Sequence, residues 1–257
     1  MTSIPRATRA ALTTGLALSL VIAVAAATVR AAGGAWSPAD ATATAGPDER
    51  LESMTGPLLL ETAQAEFRKA ASVTMTGFAL KDEHRATFTV SADREGNCTA
   101  TTIQEGQGPS RIARVQGETF VRMDPQAFAR EWGEAIASRF GGRWVRLPAG
   151  RTLDGVGGFC DLTTVPVVGT TAPATQTLSG AGESVGGTRS MSFLVTSPDE
   201  PPFIAYIAKQ GPPRPVRVET QAYDFQVDFS AYDLPVFVTA PPADQVVDLA
   251  ALTESPS

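Results

Sequence analysis

The chain has 257 residues, a formal net charge of −6 at pH 7, 43% hydrophobic residues and 19 Pro and 23 Gly. These values fit a folded, turn-rich protein of one large or two small domains. They disfavour nucleic-acid binding, which needs a basic surface. A single His and two Cys exclude most metal sites and most His-dependent catalysis. We expect no enzymatic activity, no metal and no cofactor.

The N-terminus is typical of an export signal. Arg6 and Arg9 precede an apolar run over residues 16–29, and small residues follow at 31–35. Counted from Ala10, the apolar span is about 20 residues long, enough to cross a bilayer uncleaved. Residues 1–35 are therefore predicted to be a signal peptide or an N-terminal membrane anchor. The protein would be secreted or held at the extracytoplasmic face of the cell membrane.

Residues 36–55 are rich in Ala, Thr, Pro and acids and are predicted to be a flexible linker. The folded domain is placed at 56–250, with a disordered tail at 251–257. It opens with a short amphipathic helix over residues 56–72, in which Leu59, Ala63, Phe67 and Ala70 share one face.

After this helix the apolar period changes to two, which predicts β-strands. The clearest strand is 223–229, where Tyr223, Phe225, Val227 and Phe229 alternate with polar residues. The other predicted strands lie at 72–80, around 86–90, at 98–104, 111–116, 119–123, 144–147 and 176–183, around 191–195, and at 203–208 and 215–220. The short connections favour an antiparallel meander.

One strong helix interrupts the strands. Asp124 is its predicted N-cap, Pro125 takes the first helical position, and Gly141 and Gly142 end it. Its apolar stripe has a spacing of four and consists of Phe128, Trp132, Ile136 and Phe140. A helix this apolar is expected to lie on the sheet.

Two segments are less regular. Residues 153–168 include Cys160 and are expected to hold a helical turn, with a loop at 170–175. Residues 241–257 are expected to trail along the surface. Cys98 and Cys160 can pair in an oxidising compartment, closing a loop of about 60 residues, or stay as two buried thiols.

One motif matches a catalytic pattern. Gly182, Ser184 and Gly186 match the nucleophile-elbow pattern G-x-S-x-G, but an elbow requires a helix directly after the Ser and a His downstream. Strand-like residues follow instead, and His84, the one His, lies upstream in a charged turn. A Gly-rich β-turn explains the pattern better.

A basic cluster surrounds Trp144 and could meet an anionic head group; it consists of Arg139, Arg143, Arg146 and Arg151. A solvated face is the preferred interpretation.

Several phrases together resemble a known family: SVTMTGFAL, HRATFTVSA, GNCTATTI, GETFVRM, RWVRLPAG, GFCDL and DFSAYDLPVFVTAPPADQVVDL. They are similar to the LppX/LprG-type actinobacterial lipoproteins, which share a fold with the LolA and LolB carriers. The similarity spans nearly all of residues 56–249. It implies an α+β fold in which a strongly curved antiparallel sheet, a half barrel, is covered by helices on its concave face. It also implies a disulfide between Cys98 and Cys160. The lipobox Cys of the family is absent.

By this resemblance the protein is expected to be an exported, monomeric, non-enzymatic binding protein that holds the acyl chains of a lipid or glycolipid at the cell membrane or envelope. The expected cavity lining is Phe88, Val90, Phe128, Trp132, Ile136, Phe193, Phe225 and Val227. With the small residues Gly77, Ala86, Ala135 and Ala205, the sequence leaves open whether this interior is hollow or filled. Alternatively, the same apolar residues form a filled core in a cell-surface interaction or sensor domain.

Overall fold

The computed structural model describes residue 51 and residues 53–81, 84–149, 155–165, 176–197 and 201–248. The predicted signal or anchor, the linker up to residue 50, the loop at 170–175 and the tail at 251–257 lie outside this part of the chain. No helix within it is both long enough and apolar enough to span a membrane.

The predicted first helix is present. Helix α1 spans Gly56–Lys69, with Pro57 in its first turn, and buries Leu59, Leu60, Ala63 and Phe67. It ends because Ala70 takes an extended conformation, which leads directly into the first strand. The spacing of four thus produced one buried helix face, as expected.

Within the described residues, twelve strands form one sheet. They are β1 (Ser72–Lys81), β2 (His84–Asp93), β3 (Cys98–Gln104), β4 (Pro109–Val115), β5 (Glu118–Arg122), β6 (Trp144–Arg146), β7 (Gln176–Val185), β8 (Thr188–Thr196), β9 (Phe203–Ala208), β10 (Pro215–Thr220), β11 (Phe225–Ser230) and β12 (Val246–Asp248). Each predicted strand is found within a few residues of its expected bounds. Tyr223 is the exception to the predicted alternation, because it lies in the turn before β11 with a positive φ of 56° and is exposed.

Two antiparallel meanders build the sheet, β1 to β6 and β7 to β11. They are joined where β1 pairs with β11, so the first and last long strands are neighbours. The edges are β7 and β12.

Strand β12 corrects the expectation that residues 241–257 trail along the surface. Its residues pair in parallel with β6, Val247 lying opposite Val145. A strand of three residues is too short to show an apolar–polar alternation, so the local sequence pattern could not predict it. The strand forms because the edge of β6 is free to pair.

The sheet is strongly curved. Phe88 and Val90 of β2 lie in the same buried cluster as Phe193 and Val195 of β8, although four other strands separate β2 from β8 in the sheet. We call the face that carries these residues the inner face. Helix α1 contributes to the same cluster. The predicted fold class, an α+β fold with a curved antiparallel half barrel and helices on its concave face, is confirmed.

The predicted second helix is two helices, α2 (Pro125–Trp132) and α3 (Glu134–Phe140). Gly133 separates them with a φ of 85°, a conformation that glycine adopts at little cost. The apolar spacing of four continues through this position, which explains why a single helix was predicted. The capping prediction is confirmed, since the Asp124 carboxylate accepts hydrogen bonds from the N–H groups of Gln126 (2.9 Å) and Ala127 (3.2 Å).

Candidate functional site

The predicted lining residues fall into two separate clusters on the inner face. The first inner cluster contains the sheet residues Phe88, Val90, Phe193 and Val227 as buried members, with Phe225 half-buried against it. The second inner cluster contains buried Phe128, with Trp132 and Ile136 half-buried against it. The helix stripe therefore does not face the sheet residues with which it was expected to pack.

Helix α1 covers the first inner cluster. The ring of Phe67 packs edge-on against Phe229, with 5.8 Å between ring centroids, and against Tyr232 at 6.4 Å. The Arg94 side chain donates to the carbonyl oxygens of Ala70 (2.7 Å) and Phe67 (3.1 Å), the last carbonyls of the helix. These contacts fix the end of α1 to the sheet.

A 3-10 helix, Gly155–Cys160, covers the neighbouring part of the same cluster. The disulfide between Cys98 and Cys160 attaches it to β3, as the resemblance implied. Its Phe159 stacks on Phe88 with 5.4 Å between centroids, and Phe88 stacks on Phe225 at 6.4 Å. The helical turn predicted around Cys160 is confirmed, and aromatic packing and a covalent bond hold it in place.

The small residues do not open a cavity here. A Cβ atom on Gly77 would overlap the carbonyl oxygen of Gln226 and lie 2.8 Å from Cζ of Phe88, so the space beside Gly77 is already filled. Ala205 is fully buried in the first inner cluster. Ala135 is exposed on α3 and faces no interior space. At Gly77, neighbouring ring and backbone atoms therefore occupy the space that the small residue leaves.

Helices α2 and α3 cover the other end of the inner face. Phe128 is fully buried together with Val145 of β6 and Val247 of β12, and its ring centroid lies 4.5 Å from that of Trp132. The Asp124 carboxylate also accepts a hydrogen bond from the Gly108 N–H (2.9 Å) and thereby ties α2 to the turn between β3 and β4. The apolar side chains around this small core are only half-buried; they are Met123, Trp132, Ile136, Phe140 and Leu147.

An unbroken row of apolar side chains connects the two clusters. Residues directly opposite each other on paired strands share a face, and one such row crosses the sheet from β11 to β12. We call it the inner row; it consists of Phe229, Met75, Val90, Ala100, Ile112, Val121, Val145 and Val247. The members at both ends are buried, whereas Ile112 and Val121 in the middle are half-buried.

Sequence reasoning missed Ile112 and Val121 as site residues. Both lie in strands that were predicted, but each has one apolar neighbour, Ala113 beside Ile112 and Phe120 beside Val121, which breaks the alternation. The local pattern therefore did not single them out, and only the strand pairing shows that they bridge the two clusters.

A cation borders the inner row. Arg114 lies directly opposite Cys98 and so shares its face, two residues from Ile112. Nearby, the hydroxyl and backbone N–H of Thr163 donate to the Asp161 carboxylate at 2.6 and 3.0 Å. These hydrogen bonds, with the charges of Arg114 and Arg94, hold the pKa of Asp161 below its ordinary value. The rim beside the disulfide is thus charged at neutral pH.

Three cavities are lined by residues within the described ranges, with volumes of about 430, 470 and 250 Å³. The largest lies between the ends of β7, β9 and β11 and includes Val216, Phe229 and Tyr232. None of the predicted lining residues borders any of these three cavities.

The rejected motifs behave as expected. Ser184 lies in strand β7, and Gly186 and Gly187, both with positive φ, make the turn into strand β8. His84 is exposed at the start of β2, opposite Lys81. Across the described ranges, no three His, Cys, Asp or Glu side chains are grouped to hold a metal ion.

The predicted basic cluster is partly neutralised. Arg146 pairs with Asp248 (2.6 Å) and Glu118 (3.2 Å), and Arg143 donates to the carbonyl oxygen of Asp244 (2.6 Å). Arg151 lies outside the described residues.

No family model and no curated protein sequence matches this chain. Among solved structures, LprF from Mycobacterium bovis is 12% identical, with a TM-score of 0.49 and coverage of 72% of this chain and 96% of LprF. The Mycobacterium tuberculosis lipoprotein LppX is 15% identical, with a TM-score of 0.43 and coverage of 72% and 100%. A lipoprotein-sorting protein domain from Vibrio parahaemolyticus is 13% identical, with a TM-score of 0.27 and coverage of 69% and 79%. The structural neighbours thus include lipoproteins of the kind that the sequence resembles.

Proposed function

We propose that this protein is an exported, non-enzymatic binding protein that holds the acyl chains of a lipid or glycolipid on its inner face. The observation that carries the proposal is the inner row, which is apolar across eight strands and half-buried at its centre. A chain laid over Ile112 and Val121 would bury apolar surface at about 0.8 kcal/mol per CH₂ group.

The predicted lining residues take two roles in this proposal. Trp132, Ile136 and Phe225 are half-buried at the margins of the clusters and would border the acyl chain. The buried residues would form the packed layer beneath the surface that contacts the acyl chain; they are Phe88, Val90, Phe128, Phe193 and Val227. Arg114 would lie where a polar head group meets the rim.

The location proposed for this activity is outside the cytoplasm. The Cys98–Cys160 disulfide supports it, because such bonds persist in oxidising compartments.

Native mass spectrometry of the processed protein from an actinobacterial host, followed by organic extraction, tests the proposal. We expect a discrete adduct of lipid mass in the wild type. Ile112→Trp should displace it by filling the middle of the inner row, while Ile103→Trp, on exposed surface of the adjacent strand β3, should retain it. A wild type without adduct, or equal occupancy in both variants, would refute acyl-chain binding.

A second candidate, a protein-interaction domain with a filled core, is favoured by a different observation. The extended segment that follows β11 exposes Phe237 by 87% and Leu234 by 59%. Exposed apolar groups of this kind are typical of contact surfaces. Cross-linking at the cell surface should capture a protein with the wild type and lose it with Phe237→Ser if this candidate is correct.

A further inference from the structure

Positive charge is concentrated in one part of the chain. Residues 107–149 contain seven Arg and four acidic residues, a net charge of +3, whereas the rest of the chain carries −9. This segment includes β4, β5, α2, α3 and β6. The end of the sheet with β4, β5 and β6 is therefore opposite in charge to the chain as a whole.

Two arginines in this segment are neighbours on adjacent strands of the sheet. Arg111 of β4 lies directly opposite Arg122 of β5, and continuing the register of β5 and β6 by one residue sets Trp144 beside Arg122. All three lie on the outer face, since they alternate with Ile112, Val121 and Val145 of the inner row. We call them the arginine row. Like charges directly opposite on paired strands are destabilising.

Neither member of this pair is neutralised. Arg217 pairs with Asp228 (2.8 Å between Nη2 and Oδ2) and Arg214 pairs with Asp233 (2.7 Å). By contrast, Arg111 and Arg122 have no ion pair or hydrogen bond anywhere in the described part of the chain. Arg111 is exposed, and Arg122 and Trp144 are half-buried. Two neighbouring guanidinium groups that repel each other and have no acidic partner are well placed to bind an external anion.

We propose that the arginine row docks the protein on an anionic phospholipid bilayer. Guanidinium groups match the geometry of lipid phosphates, and a Trp side chain is favoured at the head-group level of a membrane. Because the rest of the chain is acidic, an anionic surface would repel it and orient the outer face of β4, β5 and β6 toward the bilayer. This docking does not require that the inner face carries an acyl chain.

Vesicle co-sedimentation of the processed protein tests the docking. We compare vesicles of phosphatidylglycerol and phosphatidylcholine with vesicles of phosphatidylcholine alone. Stronger binding to the anionic vesicles is expected, weakening as salt is raised. The double variant Arg111→Gln/Arg122→Gln should lower the partition coefficient about 30-fold, since each arginine near an anionic membrane contributes about 1 kcal/mol.

The matched control is Arg68→Gln/Arg189→Gln. It removes the same charge from two exposed arginines on α1 and β8, neither of which has an ion pair within the described ranges. It should bind anionic vesicles within a few-fold of the wild type. Thermal unfolding checks that both variants fold; loss of the repulsive pair should not lower the unfolding temperature.

Equal binding to both vesicle types, or equal losses in the two double variants, would overturn the proposal. Lipid adducts measured by mass spectrometry are expected to be unchanged in Arg111→Gln/Arg122→Gln. Failure of bilayer docking is therefore distinguishable from failure of acyl-chain binding.

Discussion

The two covered ends of the inner face differ in how firmly their covers are attached. Over the first inner cluster, α1 and the 3-10 helix are held by buried aromatic side chains, by Arg94 and by a disulfide. Over the second, α2 and α3 rest on a small buried core with half-buried margins, and Gly133 interrupts them. Few buried apolar contacts mean low local stability. We therefore expect the second end to open first and to admit a ligand to the inner row.

The largest effect is expected from Phe67→Ala, which removes the central aromatic ring of the firmly attached end. Large-to-small changes of a buried Phe cost about 3–5 kcal/mol, and Phe67 is 1% exposed. Urea unfolding measures the loss. Leu58→Ala, on the exposed side of the same helix, should change stability by less than about 0.5 kcal/mol. Equal effects of the two variants would contradict the assignment of the buried face.

Removal of the disulfide should come next. Cys98→Ala/Cys160→Ala opens a loop between residues 62 positions apart, and the free energy of unfolding should fall by about 2–5 kcal/mol. Hydrogen exchange should show faster exchange in the 3-10 helix and no change in α2. Faster exchange at α2 instead would mean that the stabilities of the two ends are coupled, and would contradict the view that each end opens independently.

A smaller effect is expected from Asp124→Ala at the loosely attached end. Its carboxylate accepts hydrogen bonds from the N–H groups of Gln126, Ala127 and Gly108. Loss of such a cap costs about 0.5–2 kcal/mol. Amides of α2 and α3 should exchange faster while those of α1 keep their rates. Asp124→Asn, which keeps one oxygen acceptor, should lose less stability.

The smallest effect concerns pH. The folded-state pKa of Asp161 is lowered, chiefly by the hydrogen bond from the Thr163 hydroxyl. Its stabilising contribution is therefore complete above the unfolded-state pKa, near 4, and is lost as pH falls through the lower folded-state value. Asp161→Asn should unfold at a lower temperature than the wild type at neutral pH, and the difference should shrink as the pH falls below the unfolded-state pKa. A difference that persists in acid would show that the carboxylate charge is not its cause.

The strands and α1 could be predicted because each carries its period within a few residues. Phe225, Val227 and Phe229 show the alternation, and Leu59, Ala63 and Phe67 show the helical spacing. Gly133 was not recognised as a break, since the apolar stripe continues past it and only its φ reveals the interruption.

The candidate site was harder to predict because it depends on pairing between distant strands. Phe128 and Phe88 are both apolar and buried, yet they belong to different clusters. Helix α2 lies over the β6–β12 end of the sheet because of the lengths and connections of β5, β6 and β12. Local periodicity contains no information on that placement.

The pairing of β1 with β11 also bears on how the chain folds. Thr74 lies opposite Ser230, so this contact closes a loop of 156 residues. Contacts of such large sequence separation are costly in chain entropy and slow to form. The two meanders can each assemble from local hairpins, but the complete sheet must wait until residue 230 is available. We expect this late step to delay compaction during synthesis, which would suit the proposed export of the chain across a membrane.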